Sequence, residues 1–186
     1  MSTNAIQSDA SAHMDKSVKA LAHEFSTVRT GRASGAVLED IKIDYYGTLT
    51  PITQLAGVKA PEAQLLVIEP WDKTALKSIE QAIQASDLGI TPSNDGVLIR
   101  LPFPPLTEER RRDLAKQCKH YAEEARVAVR NIRRDANAKL VRAEKDSQIS
   151  EDDLRRAESE IQKLTDAHVK VIDESLKRKE AEIMEV

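Results

Sequence analysis

Five cations on one predicted helix pose the first chemical question. In the stretch LTEERRRDLAKQCKHYAEEARVAVRNIRRDANAKLVRAEK, residues 106–145, a helical wheel puts Arg112, Lys119, Arg126, Arg130 and Arg133 on one face, with Asn137 among them. Leu114, Cys118, Tyr121, Ala125, Ala128, Ile132 and Ala136 fall on a different, apolar face. Cations in a row along a rigid helix complement a row of phosphates. Arginine suits that task because its planar fork binds phosphate oxygens in pairs. Glu123 is the only acid within the stripe, and Arg126, Arg130 and Arg133 have no carboxylate four residues away. Clustered guanidiniums without local counterions repel one another unless an external anion meets them. Reading this face as a polyanion contact therefore depends on the chain's own carboxylates leaving it free.

Other chemistry is sparse. His13, His23, His120 and His168 lack a Cys or His partner at metal-ligand spacing, so no metal is expected. No glycine-rich phosphate loop or serine-hydrolase elbow occurs, and no catalytic residue or cofactor is expected either. In Arg29-Thr30-Gly31-Arg32, one glycine reads as a helix C-cap and hinge rather than an anion nest. The single cysteine, Cys118, sits at an apolar position and reads as a small buried hydrophobe. It permits no disulfide, which fits a reducing compartment. Trp71, in Glu-Pro-Trp-Asp, reads as a partly buried packing residue, the alternative being an exposed contact for a partner protein. Tyr45 and Tyr46 adjoin in a strand, so one faces in and one faces out.

The formal charge of −3 hides the basic helix. Residues 107–145 carry twelve bases and seven acids, whereas 32–104 carry six and nine and 146–186 carry seven and twelve. Positive charge confined to one helix beside acidic neighbours suits nucleic-acid binding at one place and another contact elsewhere. The first residues lack an apolar targeting core, no run is long enough for a membrane span, and a cytoplasmic chain is expected.

Three helices must position the stripe. Met14, Val18, Leu21, Phe25 and Val28 repeat at 4, 3, 4, 3 and predict a helix over residues 5–29. Thr107 reads as the N-cap of the basic helix, with Glu108 and Glu109 in its first turn. Ser150-Glu151-Asp152-Asp153 opens a third helix, whose seam runs through Leu154, Ala157, Ile161, Leu164, His168 and Val171. Each apolar stripe needs a partner, and three together close one core. Between the first and second helices the pattern changes. Ile41, Ile43 and Tyr45 alternate as a strand, Leu65–Ile68 is a short apolar run, Lys73–Ser86 is helical, and Asn94-Asp95-Gly96 turns into a strand over Val97–Leu101. The fold class is α+β: an elongated three-helix bundle, 1–30 plus 105–186, with a small β/α/β domain, 31–104, inserted between helices 1 and 2. Arg29, Thr30, Gly31, Arg32 and Gly35 on one connector, and Pro104 and Pro105 on the other, are the expected hinge.

These residues also carry a family resemblance. Val28-Arg-Thr-Gly-Arg-Ala33, Tyr45-Tyr-Gly-Thr48, Ala85-Ser-Asp-Leu-Gly89, Pro104-Pro-Leu-Thr-Glu-Glu-Arg-Arg111, Ala125-Arg-Val-Ala-Val-Arg-Asn-Ile-Arg-Arg-Asp-Ala-Asn137 and Ile149-Ser-Glu-Asp-Asp153 resemble the bacterial ribosome recycling factors, and the likeness runs end to end. It implies an L-shaped molecule with a mobile, partner-facing β/α/β domain. It implies a monomer that binds rRNA of the large ribosomal subunit and, with elongation factor G and GTP, separates the subunits of the post-termination ribosome and releases them from mRNA. The factor itself hydrolyses nothing. By position, Arg130 and Arg133 match the family's RNA-contacting arginines, with Arg29, Arg32 and Arg111 in its other basic motifs. Gly35 stands where relatives often have proline, which loosens that connector. The rival readings are a coiled-coil scaffold that binds protein without RNA affinity, and a small enzyme using the β-rich insert, which contains no histidine or cysteine.

Overall fold

A computed structural model describes residues 2–185. Three long helices dominate: α1 (Thr3–Thr27), α3 (Glu108–Lys145) and α4 (Glu151–Met184). Between α1 and α3 come a short 3-10 turn (Gly35–Leu38), strands β1 (Lys42–Tyr45), β2 (Thr48–Pro51), β3 (Ala56–Glu62) and β4 (Leu65–Pro70), helix α2 (Leu76–Ala85), and strands β5 (Ser93–Asn94) and β6 (Ile99–Pro102). The α+β class is as read from the sequence.

The chain divides into two compact units. The helical unit holds the residues up to Phe25 with Ala115–Ala181, and the sheet unit holds Ser26–Leu114 with the residues from Glu182 onward. Residues 26–30, 105–114 and 182–185 therefore belong with the sheet, whereas the sequence reading assigns them to the bundle.

Local chemistry explains the helix ends. Thr107 Oγ1 accepts the Arg110 N–H at 3.1 Å, so it is the N-cap of α3, and Glu108 and Glu109 face the positive end of the helix dipole. Ser150 Oγ accepts the Asp153 N–H at 3.0 Å while the Asp153 carboxylate accepts the Ser150 N–H at 3.4 Å, a reciprocal box opening α4. Helix α1 ends at Thr27, and Gly31 does not adopt positive φ, so the C-cap expected at Gly31 is not formed there. In the α3–α4 turn, Ser147 takes the left-handed conformation (φ 57°), and Gln148 N–H reaches back to Ala143 O at 2.8 Å.

The helical unit buries Ile6, Ala10, Met14 and Leu21 of α1, Cys118, Ala122, Ala125, Val129, Ala136, Leu140 and Ala143 of α3, and Ala157, Ile161 and Ile172 of α4. Two seams differ in detail from the heptad reading. Ala122 and Val129 enter the α3 core while Tyr121 and Ala128 stay half-buried, and Ile172 replaces Val171, which is exposed, in α4. A straight helix drifts about 20° per heptad relative to a 3.5-residue repeat, so positions chosen on a strict 4-3 count rotate off the seam along a long helix.

The sheet unit contains a β1–β2 hairpin and a four-stranded antiparallel sheet in the order β3-β4-β6-β5. Its core gathers Leu38, Ile43, Ile52, Leu66, Ile68, Ile79, Ile83, Ile99, Leu101 and Phe103. Strand β3, Ala-Gly-Val-Lys-Ala-Pro-Glu, has too little apolar alternation to read as a strand. It lies at an edge, where Pro61 is tolerated beside a register shift between Lys59 and Glu62.

Candidate nucleic-acid interface

At about 1.5 Å per residue, the 38 residues of α3 extend roughly 57 Å. The cation stripe runs along the border of its buried seam rather than far from it. Arg126, Arg130, Arg133 and Asn137 are all half-buried, while Arg112 and Lys119 are exposed. Stems that pack beside the seam hold the guanidiniums in place, so the charged groups reach solvent from a fixed edge.

The stripe is less free of counterions than the sequence suggests. Arg126 Nε donates to Asp173 Oδ1 at 2.8 Å and its Nη2 lies 2.7 Å from the same oxygen, while Nη1 meets Glu123 at 3.1 Å. Its side chain is 19% exposed. Burial works to lower the Arg126 pKa, but hydrogen bonds to Asp173 and Glu123 outweigh it and raise the pKa above its ordinary value. Arg130 reaches Glu123 at 3.4 Å, and Arg112 meets Glu108 at 2.6 Å. A search restricted to four residues on the same helix misses Glu123 at three and seven residues and Asp173 on α4. Arg126 and Arg112 are thus neutralised within the chain, and Arg130 only through one long contact shared with Arg126.

The rest of the stripe has no such compensation. Among the described residues, Arg133 and Lys119 have no ion pair or hydrogen bond. Asn137 Oδ1 is buried without a hydrogen-bond partner. Arg130, Arg133 and Asn137 lie one turn apart, with Lys119 further along the same face. The donors most available to a string of phosphates are therefore at the centre of α3.

The other predicted cations are placed differently. Arg111 Nη1 donates to Ile183 O at 3.2 Å and Glu185 O at 2.8 Å, and its Nε donates to Leu106 O at 3.3 Å. Its donors hold backbone carbonyls of the sheet unit rather than facing an external anion. Arg29 is buried. Its Nη2 donates to Pro104 O at 2.5 Å and its guanidinium lies 5.3 Å from the Phe103 ring centroid. Burial, and secondarily Arg110, lowers its pKa. Arg29 and Pro104 thus clasp the two expected connectors together within one unit. Arg32 is exposed and meets Glu185 only at 3.9 Å. Thr30, Gly31, Arg32 and Pro105 border a cavity of about 600 Å³. Gly35 opens the 3-10 turn capped by Ser34, where an added Cβ would stand 3.1 Å from Val58 Cγ1, so close packing accounts for glycine there.

His168 joins α1 to α4, with Nε2 2.7 Å from Asp15 Oδ1 and Nδ1 2.7 Å from Leu164 O. Cys118 is fully buried, and burial pushes its thiol up to about 11. Among the described residues, no group of three His, Cys, Asp or Glu side chains could hold a metal ion, and no helix is long and apolar enough to cross a membrane.

The family described as Ribosome recycling factor matches residues 21–184. A ribosome-recycling factor of Geobacillus thermodenitrificans (strain NG80-2) is 60% identical over 173 residues, covering 93% of this chain and 94% of that one. A ribosome-recycling factor of Nitratidesulfovibrio vulgaris (strain DP4) is 53% identical over 186 residues, covering 100% of both. A solution structure of the ribosome recycling factor superposes with a TM-score of 0.79 at 42% identity, covering 100% of this chain and 99% of the other. A chain from a structure of the T. thermophilus ribosome recycling factor and E. coli elongation factor G bound to the E. coli post-termination complex gives a TM-score of 0.70 at 46% identity, covering 100% of both.

Proposed function

The chain belongs to the ribosome recycling factor family, and from that premise we propose that it binds the post-termination ribosome as a cytoplasmic monomer and, with elongation factor G and GTP, parts the subunits. Its own side chains supply binding and transmission, and GTP hydrolysis belongs to the partner. A relative bound together with elongation factor G to a post-termination complex supports both partners.

The observation that carries the RNA contact is the unmatched centre of α3. Arg133 and Lys119 lack partners among the described residues, and Arg130 has one weak one. We assign this edge to the phosphate backbone of large-subunit rRNA. Phosphate contacts position a protein without reading sequence, and they make affinity fall with salt. Arg126 supports the site indirectly: fixed by Asp173, it holds Glu123, which in turn orients Arg130. Arg112 contributes only by exchanging Glu108 for phosphate, and Arg111 serves the fold. A scaffold that binds only protein leaves Arg133 and Lys119 unexplained.

The pivot is a proposal of the same kind. Thr30, Gly31 and Arg32 border open space, whereas Arg29 and Pro104 are clasped and Gly35 is packed against Val58. Motion is therefore assigned to residues 30–32 and Pro105, with Arg29 and Pro104 as the fixed end. The domain that carries the sheet then receives the push of the GTPase while α3 stays on RNA.

Arg133→Ala tests the central claim. It should weaken binding to large subunits about tenfold in low salt and reduce the log–log salt slope by roughly one, with an unchanged melting temperature. Co-sedimentation with large subunits over a salt series measures both. Equal affinity and slope for variant and wild type would remove α3 from the RNA contact.

A further inference from the structure

One dipeptide of the sheet unit carries a chemistry that neither its core nor the RNA contact uses. Asp95-Gly96 is the single Asp-Gly step of the chain, and no Asn-Gly step occurs. Glycine has no Cβ, so nothing shields the amide nitrogen that follows the aspartate. In an open chain the Gly96 nitrogen attacks the protonated Asp95 carboxyl group. A bond forms from that nitrogen to Cγ, the carboxyl OH and the amide hydrogen leave as water, and a five-membered succinimide remains. A second water opens the ring. Attack at Cγ restores aspartate, whereas attack at the main-chain carbonyl carbon leaves isoaspartate, with the backbone running through Cβ and Cγ.

The folded turn restrains both reacting groups. On the carboxyl side, Asp95 Oδ1 accepts the Leu98 and Val97 N–H groups at 2.8 and 3.0 Å, and Oδ2 accepts from Arg100 Nη1 at 3.0 Å. Three donors favour the ionised form, which is the poor electrophile, and aim both oxygens at residues 97–100. On the amine side, the Gly96 N–H donates to Asn94 Oδ1 at 3.1 Å. The Asn94 amide is itself fixed, because its Nδ2 donates to Glu80 on α2. The Asp95 N–H donates to Leu98 O at 3.2 Å, and Asn94 pairs with Ile99 across β5 and β6, so the loop is closed at its base.

The same turn requires the labile pair. Gly96 has φ 90°, a conformation that favours glycine, and a short side-chain acceptor at position 95 is what closes the loop on two N–H groups. The restraint is local, however. Strand β5 has only two residues, both exposed, and it lies at the edge of the sheet. The Arg100 and Asp95 side chains that pair are 47% and 42% exposed. An edge of this kind opens far more often than the core beneath it. Isoaspartate formed during an opening adds an atom to the backbone and takes the carboxylate away from Val97 and Leu98, so β5 cannot return to its register against β6.

We infer that Asp95-Gly96 is a latent isoaspartate-forming site, held silent by Arg100 and Asn94 while the β5–β6 turn is closed and reactive whenever the turn opens. Its product belongs to the substrate class of the S-adenosylmethionine-dependent isoaspartyl methyltransferases, which supplies the assay. The full chain is incubated near neutral pH, folded or in urea, then digested. Peptides are mapped by mass spectrometry, and isoaspartate is counted by methyl transfer from labelled S-adenosylmethionine. In urea the peptide holding residues 95 and 96 should accumulate isoaspartate at least about tenfold faster than in the folded chain, because its carboxyl group regains an ordinary pKa and its amide is released. In folded protein, Arg100→Ala and Asn94→Ala should each raise the rate several-fold, with melting curves confirming that the chain is folded. An increase in either variant supports the guard. Equal rates for folded and unfolded wild type overturn the inference whatever the variants do, and so do folded variants that both react as slowly as wild type.

Discussion

The helical unit and the sheet unit employ their carboxylates in different ways. In the helical unit Glu123 and Asp173 reach guanidiniums, and Asp15 reaches His168 on α4. Side chains on neighbouring helices are thereby held, and part of the cation stripe is neutralised. In the sheet unit, carboxylates close turns on backbone N–H groups: Asp44 on Gly47, Asp72 on Thr74, and Asp95 on Val97 and Leu98. The first arrangement sets how much positive charge the helical unit leaves unpaired. The second keeps loops in shape. The two units thus present chemically distinct surfaces.

Among the carboxylates compared, removing the acid from the helical arrangement should produce the largest response. Asp173→Asn keeps a hydrogen-bond acceptor beside Arg126 but removes the charge that competes with phosphate. Affinity for large subunits should rise several-fold in low salt, with a steeper salt dependence. Co-sedimentation that shows no gain would mean that Arg126 stays out of the RNA contact even when released. Arg126→Ala sharpens the same point. It removes an ion-paired, well-packed side chain, so denaturant unfolding should register a loss of about 1 kcal/mol. Its effect on ribosome binding should be smaller than that of Arg133→Ala. If Arg126→Ala matched Arg133→Ala in binding and left stability untouched, the split between supporting and contacting arginines would fail.

Local signals made much of this molecule readable. The long helices announce themselves through apolar spacing and through Thr107 and Ser150, whose capping bonds form as their residue types require. The hairpin turn at Tyr46-Gly47 and the turn at Asn94-Asp95-Gly96 are likewise local. Strand β3 was hidden because an edge strand with a bulge needs no alternation, and its pairing with β4 is set by tertiary structure. The site was legible by half. Wheel geometry gathers the stripe, but whether an arginine is free depends on a residue 47 positions away, as with Arg126 and Asp173. Arg111 and Arg29 carry the same lesson. Their sequence neighbourhood is basic, yet their partners are the carbonyls of Glu185 and Pro104, which no spacing rule indicates. Trp71 reverses the usual expectation for the largest side chain, and only its exposure reveals that.

The smallest effect concerns the turn carboxylates. Asp95 Oδ1 accepts the N–H groups of Leu98 and Val97 at 2.8 and 3.0 Å, and Oδ2 accepts from Arg100 at 3.0 Å. The backbone bonds, first from Leu98 and then from Val97, together with the bond from Arg100, hold its pKa down at about 2. The folded chain therefore binds a proton at Asp95 less readily than the unfolded chain, whose aspartates titrate near an ordinary value of about 3.9. The contribution to stability is fully present above about pH 4 and disappears as pH falls toward 2. Asp95→Asn should abolish this part of the acid sensitivity while lowering the melting temperature slightly at pH 7, because the amide replaces a charged acceptor with a weaker one. Amide exchange at Val97 and Leu98, followed from pH 5 to pH 2, should show protection lost in the wild type over that window and already weak in the variant. Identical protection profiles would mean that the β5–β6 turn is held by strand pairing alone. The contrast drawn for the two sets of carboxylates would then not extend to this loop.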